Sequence, residues 1–156
     1  MPITPCIAYL ADYPEVLPTL EHLFETEWPD YYGAGGPGNA HDDFSTYSSR
    51  DQLPVGLVAF VNAELCGIAV LKSECVTTHK HLTPWVGGGM VVPQYRRQGI
   101  GAHMISALEE IARNRGFNVI YSGTSTANTL LIREGWEFVE LVQYNGEAVS
   151  IYKKML

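Results

Sequence analysis

The segment Arg96-Arg97-Gln98-Gly99-Ile100-Gly101 combines the residue types that bind phosphate groups. An apolar run ends at Pro93 before it, and apolar residues at helical spacing follow it, so the backbone N–H groups of residues 97–102 are expected at a helix N-terminus, where anions bind. Glycine at 99 and 101 removes Cβ atoms that would block a pyrophosphate and permits positive φ. The two arginines add positive charge. The pattern predicts a site for a ligand with two linked phosphates.

Other interpretations of this glycine turn are weaker. The run from Gly99 to Met104 supplies two of the three glycines of a dinucleotide fingerprint, with methionine in the third place. The turn also follows several expected strands, and the next strand ends in Tyr121-Ser122-Gly123-Thr124 without the usual acid. No Gly-Lys-Ser or Gly-Lys-Thr follows, which excludes a P-loop. A helix cap without any ligand stays open as an interpretation.

The elements that position this turn can be read from hydrophobic spacing and turn residues. Strands are expected over residues 3–10, 55–61, 65–71, 86–92, 117–121, 136–142 and 148–153. Four helices are expected. The first covers residues 17–28 and is stopped by Pro29, and the second follows the glycine-rich loop 32–39. The third runs from about residue 100 to 116, and the fourth covers residues 126–134. Asn145-Gly146 predicts a tight hairpin. The order βααβββαβαββ predicts a mixed α/β sheet with hairpins at both ends.

Charge is unevenly distributed along the chain. The formal net charge is −7, and residues 1–51 alone hold nine acids and one base, a charge of −8. Four of the ten bases, Arg96, Arg97, Arg113 and Arg115, flank the helix after the glycine turn. A nucleic-acid binder would usually carry a basic face, so no nucleic-acid partner is expected. The distribution suits a phosphate-bearing ligand at the turn and a cationic partner elsewhere.

Length and composition bound the class of protein. At 156 residues and 46 % hydrophobic, the chain is long enough for one core, and we expect a single domain over residues 1–156. No apolar run reaches the ~20 residues of a membrane span, and the first residues lack an export signal, so we expect a cytoplasmic protein without a membrane partner. Cys6, Cys66 and Cys75 have no metal-type spacing and are expected to be reduced and buried. A homodimer is left open.

The glycine turn resembles the signature of the GNAT N-acetyltransferase superfamily: Arg or Gln, two variable residues, Gly, one variable residue, then Gly or Ala. Arg96, Gly99 and Gly101 fill these positions, and the run from Val91 to Tyr95 is similar to the family's strand, proline and aromatic pattern. The resemblance implies an α/β fold with a mixed, mostly antiparallel central sheet of about seven strands and about four helices. It also implies transfer of an acetyl group from acetyl-coenzyme A to an amine, without a metal.

The resemblance also implies which residues bind the cofactor. The backbone of Met90, Val91 and Val92 would pair with the amide groups of the pantetheine arm, and the turn would hold the pyrophosphate. The turn residues concerned are Arg96, Arg97, Gln98, Gly99, Ile100, Gly101 and Ala102. The family's sheet opens after this strand, and Gly87-Gly88-Gly89 is expected to form a bulge there.

The sequence departs from the family's pattern at two catalytic positions. Thr124 and Leu131 stand where many members carry an asparagine and a proton-donating tyrosine. Asn128 is expected to replace the asparagine one turn later and to bind the cofactor. Leucine cannot protonate a leaving thiolate, so solvent, a backbone N–H, Tyr144 or Tyr152 would have to stabilise it. These departures motivate an alternative, a non-catalytic domain that senses coenzyme A.

The base that takes the amine proton is not evident from the sequence. Trp85 stands where some relatives carry a glutamate, while Glu74, His79 and His81 lie just upstream and could act through water. With Tyr144 they are weak catalytic candidates. Direct attack that rests largely on positioning is the expected mechanism, since no Cys-His-acid set is visible that would favour a covalent route.

The acceptor is expected to contact the acidic, aromatic segment between residues 27 and 47. Aromatic faces and carboxylates together favour a cationic amine through cation–π attraction and charge pairing. The candidate acceptor-binding residues are Trp28, Tyr31, Asp42 and Asp43. The sequence therefore predicts N-acetylation of a primary amine on a small cationic metabolite or a peptide.

Overall fold

The computed structural model of the protein describes residues 3–156. One sheet has the strand order β1-β2-β3-β4-β5-β7-β6. Its strands are β1 (Cys6–Tyr9), β2 (Val55–Val61), β3 (Glu64–Lys72), β4 (Trp85–Val91), β5 (Val119–Thr124), β6 (Glu137–Tyr144) and β7 (Glu147–Met155). The helices are α1 (Leu17–Glu27), α2 (Pro29–Tyr32), α3 (Ala40–Tyr47), α4 (Ile100–Asn114) and α5 (Asn128–Arg133). Among the strands of residues 3–156, only β4 and β5 pair in parallel. The mixed, mostly antiparallel seven-stranded fold is as expected.

The extra helix arises at Pro29, which was expected only to end a helix. Helix α1 does end before it, at Glu27, but Pro29 then begins the short helix α2. Proline suits a first helical turn, because its φ is already helical and its missing N–H would have no partner there. The expected glycine-rich loop separates α2 from α3, where Asn39 Oδ1 accepts the Asp42 N–H at 3.0 Å.

Two hydrophobic layers cover the two faces of the sheet. On one face, β-strand residues such as Leu71 pack with Met104 and Leu108 of α4. On the other face, residues such as Val70 pack with Phe24 of α1 and Phe44 of α3. Adjacent strand residues point to opposite faces, so Leu71 and Val70 serve different layers. The sheet is thereby held between α4 on one side and α1 and α3 on the other.

The sheet divides between β4 and β5. These strands pair only at Trp85 with Tyr121 and Val86 with Ser122, and then diverge. The register of β3 against β4 also shifts by one residue between Ile68 and Val70, opposite the glycine run 87–89. The expected bulge is therefore present, and Gly88 adopts a φ of +57° that favours glycine. The bulge bends β4 away from β5 and leaves one edge of β4 unpaired.

The three cysteines differ in exposure. All are free thiols, but Cys66 is buried, Cys75 is half-buried and Cys6 is exposed. The prediction that all three are buried is wrong for Cys6, because this residue begins the edge strand β1, which has a neighbour on one side only. Among the helices of residues 3–156, none is long and apolar enough to cross a bilayer.

Candidate functional site

A cleft of about 920 Å³ lies where β4 and β5 diverge. Its floor is formed by residues 86–91 of β4, and its walls by the segment 122–127, by α4 and by α5. Side chains at its mouth come from Glu27 and Trp28 on one side and from the β6–β7 hairpin on the other. The cleft thus brings together parts of the chain that are distant in sequence around the unpaired edge of β4.

The unpaired edge of β4 offers backbone groups to the cleft. The N–H of Val92 donates to the Cys66 carbonyl of β3 at 2.8 Å. Backbone groups of adjacent strand residues point to opposite edges, so the N–H and C=O of Val91 point into the cleft. There the Val91 carbonyl accepts a hydrogen bond from Arg96 Nε at 2.8 Å. The Val91 N–H lies beside it, and an extended ligand with amide groups can pair with this edge.

The N-terminus of α4 closes one end of the cleft with open backbone donors. Gly99, at the N-cap, has a φ of +87°, and within residues 3–156 no side chain caps this helix. The Gly99 carbonyl already accepts the His103 N–H at 3.2 Å. Helix geometry leaves the N–H groups of residues 100–102 without an intrahelical acceptor. Their partial positive charge makes this end of the cleft suited to an anion.

Gly101 faces into the cleft. A Cβ built on it would lie 3.3 Å from Leu130 Cδ2 and 3.8 Å from Val91 Cγ2. Any larger side chain would therefore fill the passage between α4, α5 and β4. Arg97, beside this turn, is exposed and has a φ of +64°, a strained value for a residue with a side chain.

Arg96 forms a clasp across the cleft instead of pointing freely to solvent. Besides its bond to Val91, its Nη2 lies 3.2 Å from Oε1 of Glu27, at the end of α1. The two side chains are 43 % and 37 % exposed, so water still reaches the pair. Two of the donors of Arg96 are thus engaged within the chain. Gln98 likewise donates through Nε2 to the Gln94 carbonyl at 3.1 Å.

The expected acceptor residues fall into two groups. Trp28 lines the cleft and packs edge-on against Phe24, with ring centroids 5.0 Å apart. Tyr31, Asp42 and Asp43 lie outside the cleft lining. Tyr31 packs on the glycine loop, since a Cβ at Gly38 would collide with its ring. The structure therefore brings only Trp28 of the four to the cleft wall.

Asp43 has a local partner. It accepts a hydrogen bond from the Tyr32 hydroxyl through Oδ2 at 2.7 Å. Burial, together with this bond, raises the pKa of the Tyr32 phenol, which therefore remains a donor. Asp42 is exposed in the first turn of α3, and its charge reaches the cleft only through solvent.

Tyr144 is the catalytic candidate that the structure brings to the cleft. Its hydroxyl lies 3.4 Å from the Cys75 carbonyl, a long contact that leaves it available to another acceptor. Glu74, His79 and His81 are not among the lining residues. His79 contacts Glu140 of β6 through Nε2, and its ring stacks on that of His81 at 5.8 Å. These two histidines hold a loop against the sheet edge.

The cleft wall opposite β4 consists mainly of serine and threonine hydroxyl groups and of apolar side chains. Thr124 Oγ1 accepts the N–H groups of Thr126 and Ala127 at 3.1 and 2.8 Å, which fixes the start of α5. Leu131 lines the cleft with 2 % exposure and offers no proton donor. Asn128 is outside the lining and accepts a hydrogen bond from the Tyr152 hydroxyl at 2.9 Å. That bond removes Tyr152 from the set of free donors.

Sequence reasoning missed several polar residues of the cleft, among them Glu147, Ser122 and Cys75. Glu147 pairs with Tyr144 across the hairpin, is exposed, and makes no ion pair within residues 3–156. Ser122 lines the cleft and donates to the Val86 carbonyl at 3.3 Å. Cys75 lines it as well. The signal that could have found Glu147 is its position immediately after the Asn-Gly turn, which places it on the same hairpin end as Tyr144.

Solved structures share this fold at low sequence identity. An aminoglycoside 6'-N-acetyltransferase complexed with coenzyme A superposes with a TM-score of 0.80 at 16 % identity, covering 96 % of each chain. The aminoglycoside 6'-N-acetyltransferase from Enterococcus faecium gives 0.75 at 17 % identity, again over 96 % of each chain. A GCN5-related N-acetyltransferase from Rhodopseudomonas palustris gives 0.69 at 23 % identity, over 100 % of this chain and 98 % of that one. No curated protein matches by sequence.

A sequence profile assigns the family. The profile of the acetyltransferase (GNAT) family matches residues 19–133, which run from α1 to the end of α5. This chain belongs to the acetyltransferase (GNAT) family. The matched region contains the bulge, the open edge of β4 and the turn that begins α4.

Proposed function

We propose that this protein transfers the acetyl group of acetyl-coenzyme A to a primary amine of a small molecule or a peptide, by direct attack of the amine. The observation that carries this proposal is the cleft at the divergence of β4 and β5, bounded by the open edge of β4 and by the uncapped N-terminus of α4. Family membership and the coenzyme A complex of a structural neighbour support it.

The residues present fit coenzyme A. The open β4 edge at Val91 suits a chain of amide groups, and the backbone donors at residues 100–102 suit a pyrophosphate. Gly101 leaves empty the space that a side chain would fill. Arg97, exposed beside the turn, would add charge there, whereas Arg96 is engaged with Val91 and Glu27. The proposed cofactor-binding set therefore keeps Met90, Val91, Val92 and residues 96–102, with Arg96 as a support of the edge. Asn128 leaves the set, because it lies outside the cleft lining and accepts the Tyr152 hydroxyl.

The mouth of the cleft would bind the amine. Acetyl-coenzyme A, when bound, supplies a thioester carbonyl to attack and a thiolate as leaving group. An alkyl ammonium has a pKa of roughly 10, so a proton must leave the acceptor before attack at neutral pH. Glu147 is the unpaired carboxylate of the cleft and would accept that proton through water, while the Trp28 face would contact the cation. The Tyr144 hydroxyl would donate to the departing thiolate.

The amine class rests on two observations. Residues 1–51 carry a charge of −8, which attracts cations to this half of the protein. Two of the structural neighbours act on aminoglycosides, which are polyamines. These observations favour N-acetylation over transfer to a hydroxyl, and they favour small-molecule amines over large partners.

A thiol-release assay tests the proposal. The purified chain is incubated with acetyl-coenzyme A and a panel of amines, and free coenzyme A is measured against the rate without amine. We expect release above background for at least one amine, with a mass increase of one acetyl group on that amine. Calorimetry measures coenzyme A binding in parallel. Tight binding with no release on any amine would instead favour the sensor alternative, which the buried Leu131 motivates.

A further inference from the structure

The cleft is closed at the end where β4 and β5 still pair. Val86 and Ser122 are the last paired residues of the two strands, and Ser122 Oγ donates to the Val86 carbonyl at 3.3 Å. The open edge of β4 therefore runs from Val91, next to the turn that begins α4, to this closed end. A cofactor arm that starts at the N-terminus of α4 and pairs with this edge has its thioester end directed toward the Val86–Ser122 pair.

Two valines fill the space beside this closed end on one face of the sheet. Gly123 follows Ser122 on β5, and a Cβ built on it would lie 3.1 Å from Val76 Cγ2 and 3.2 Å from Val149 Cγ1. Both distances are shorter than the roughly 3.5–4.0 Å at which carbon atoms attract each other best. The space over Gly123 therefore does not hold even one additional methyl group. Gly123, Val76 and Val149 all line the cleft.

The hydrophobic core holds both valines in place. Val76 is 2 % exposed and Val149 is 6 % exposed. Val76 packs in one cluster with Trp85 and Ile151, which are fully buried. Branching at Cβ restricts a valine side chain to few rotamers, and close packing disfavours any shift of its methyl groups. The closed end of the cleft thus has a rigid apolar wall.

The opposite face of the sheet closes the same end of the cleft. Leu131 and Val86 line the cleft and belong to the buried layer between the sheet and α4. The closed end is therefore bounded by apolar side chains on both faces. The charged residues of the described lining, Glu27, Arg96 and Glu147, lie at the mouth.

We propose that Val76 and Val149 restrict the acyl group of the bound donor to acetyl, because they leave no space at the closed end for a longer chain. This inference narrows the donor of the proposed reaction and rests on the proposed position of coenzyme A. In the transfer, the C–N bond of the amide forms and the C–S bond of the thioester breaks. Coenzyme A leaves as the thiol with a proton that the amine has lost.

Calorimetry with acetyl-, propionyl- and butyryl-coenzyme A tests the inference without any amine. A methylene group that an apolar pocket cannot hold reduces the use of a ligand about 10–200-fold. We therefore expect Kd to be at least tenfold higher for butyryl- than for acetyl-coenzyme A. In Val149→Ala and in Val76→Ala, which each remove two methyl groups from the wall, this ratio should fall at least threefold. Val149→Ile adds a methyl group and should weaken binding of propionyl-coenzyme A relative to acetyl-coenzyme A.

Val58→Ala is the matched control. Val58 is also buried but lies outside the cleft lining, so the loss of its methyl groups should leave the ratio of the two Kd values unchanged. Each ratio compares two ligands on the same folded protein, so a loss of stability does not alter it. The wild-type ratio decides the matter even where a variant fails to fold.

Two results would overturn the inference. One is equal affinity of the wild type for acetyl- and butyryl-coenzyme A, and the other is an unchanged ratio in both alanine variants. Thiol release reports separately on transfer to an amine. A preference for acetyl-coenzyme A in binding, without acetylation of any amine, overturns the proposed function alone and leaves the role of the two valines standing.

Discussion

Arg96 and Glu27 form an ion pair across the mouth of the cleft, with Nη2 and Oε1 3.2 Å apart, while Nε of the same arginine holds the Val91 carbonyl. The pair joins the end of α1 to the turn before α4, which are 69 residues apart in the chain. The first arginine of the glycine turn is therefore held against the open edge of β4 and does not point freely to solvent.

The ion pair of Arg96 with Glu27 is expected to contribute little to the free energy of unfolding. Both side chains are more than a third exposed, and exposed ion pairs contribute about 0–1 kcal/mol. Glu27→Gln should therefore lower Tm by no more than about 4 °C. Thermal unfolding followed by circular dichroism measures this, with Glu25→Gln on the same helix as the control. A decrease of more than about 2 kcal/mol in the free energy of unfolding would contradict the expectation that solvent screens this ion pair.

Gly101 should control coenzyme A binding. Its Cβ position lies 3.3 Å from Leu130 Cδ2, so the methyl groups of Gly101→Val would enter the passage between α4 and α5. We expect at least tenfold weaker binding by calorimetry, about 1.4 kcal/mol. Ser106→Val places the same side chain on the exposed face of α4 and should bind normally. Unchanged affinity in a folded Gly101→Val would mean that the pyrophosphate binds elsewhere.

The hydroxyl of Tyr144 should affect turnover more than binding. It lines the cleft and has only a long contact with the Cys75 carbonyl, so it can donate to a leaving group. General acid catalysis contributes about 10²–10⁴-fold, and we expect Tyr144→Phe to lower kcat at least tenfold with little change in either KM. Tyr13→Phe, on an exposed tyrosine away from the cleft, is the matched control. A full rate in Tyr144→Phe would leave the thiolate to solvent or to backbone donors.

The acidic charges of α3 should influence the amine and not the cofactor. Asp42 and Asp43 lie outside the cleft lining, so they act at long range. Changing both to asparagine keeps an oxygen acceptor for Tyr32 and removes two charges. We expect a modest rise in KM for the amine, unchanged KM for acetyl-coenzyme A, and loss of the difference at high salt, since exposed charges are screened over ~8–10 Å. An effect confined to the cofactor would refute this charge argument.

Cys75 should react slowly with alkylating agents. Burial raises the pKa of its thiol, and Lys72 only partly offsets this, so the reactive thiolate is scarce at neutral pH. With iodoacetamide at pH 7.5, mass spectrometry should find Cys6, which is exposed, labelled first. The rate at Cys75 should rise as the pH approaches its raised pKa and fall when coenzyme A occupies the cleft. Faster labelling of Cys75 than of Cys6 would contradict its burial.

The sequence alone was sufficient to predict those features whose conformation depends only on residues adjacent in the chain. The turn at Gly99, the Asn145-Gly146 hairpin and the bulge at residues 87–89 depend on φ values that glycine permits, and those requirements are local. Most elements followed from hydrophobic spacing, because one face of each must be buried. Pro29 was misread because proline equally suits the end of one helix and the first turn of the next.

Tertiary structure decided which of these residues meet. Three contacts join parts of the chain that no spacing rule relates. They are the ion pair of Arg96 with Glu27, the contact of His79 with Glu140, and the approach of Lys72 to Gly87. The same holds for the residues expected to bind the acceptor. Trp28 lines the cleft, whereas Asp42 and Asp43 lie outside its lining, although all three belong to one acidic segment. Composition places charge in a segment, but only the divergence of β4 from β5 determines which charges face the open edge.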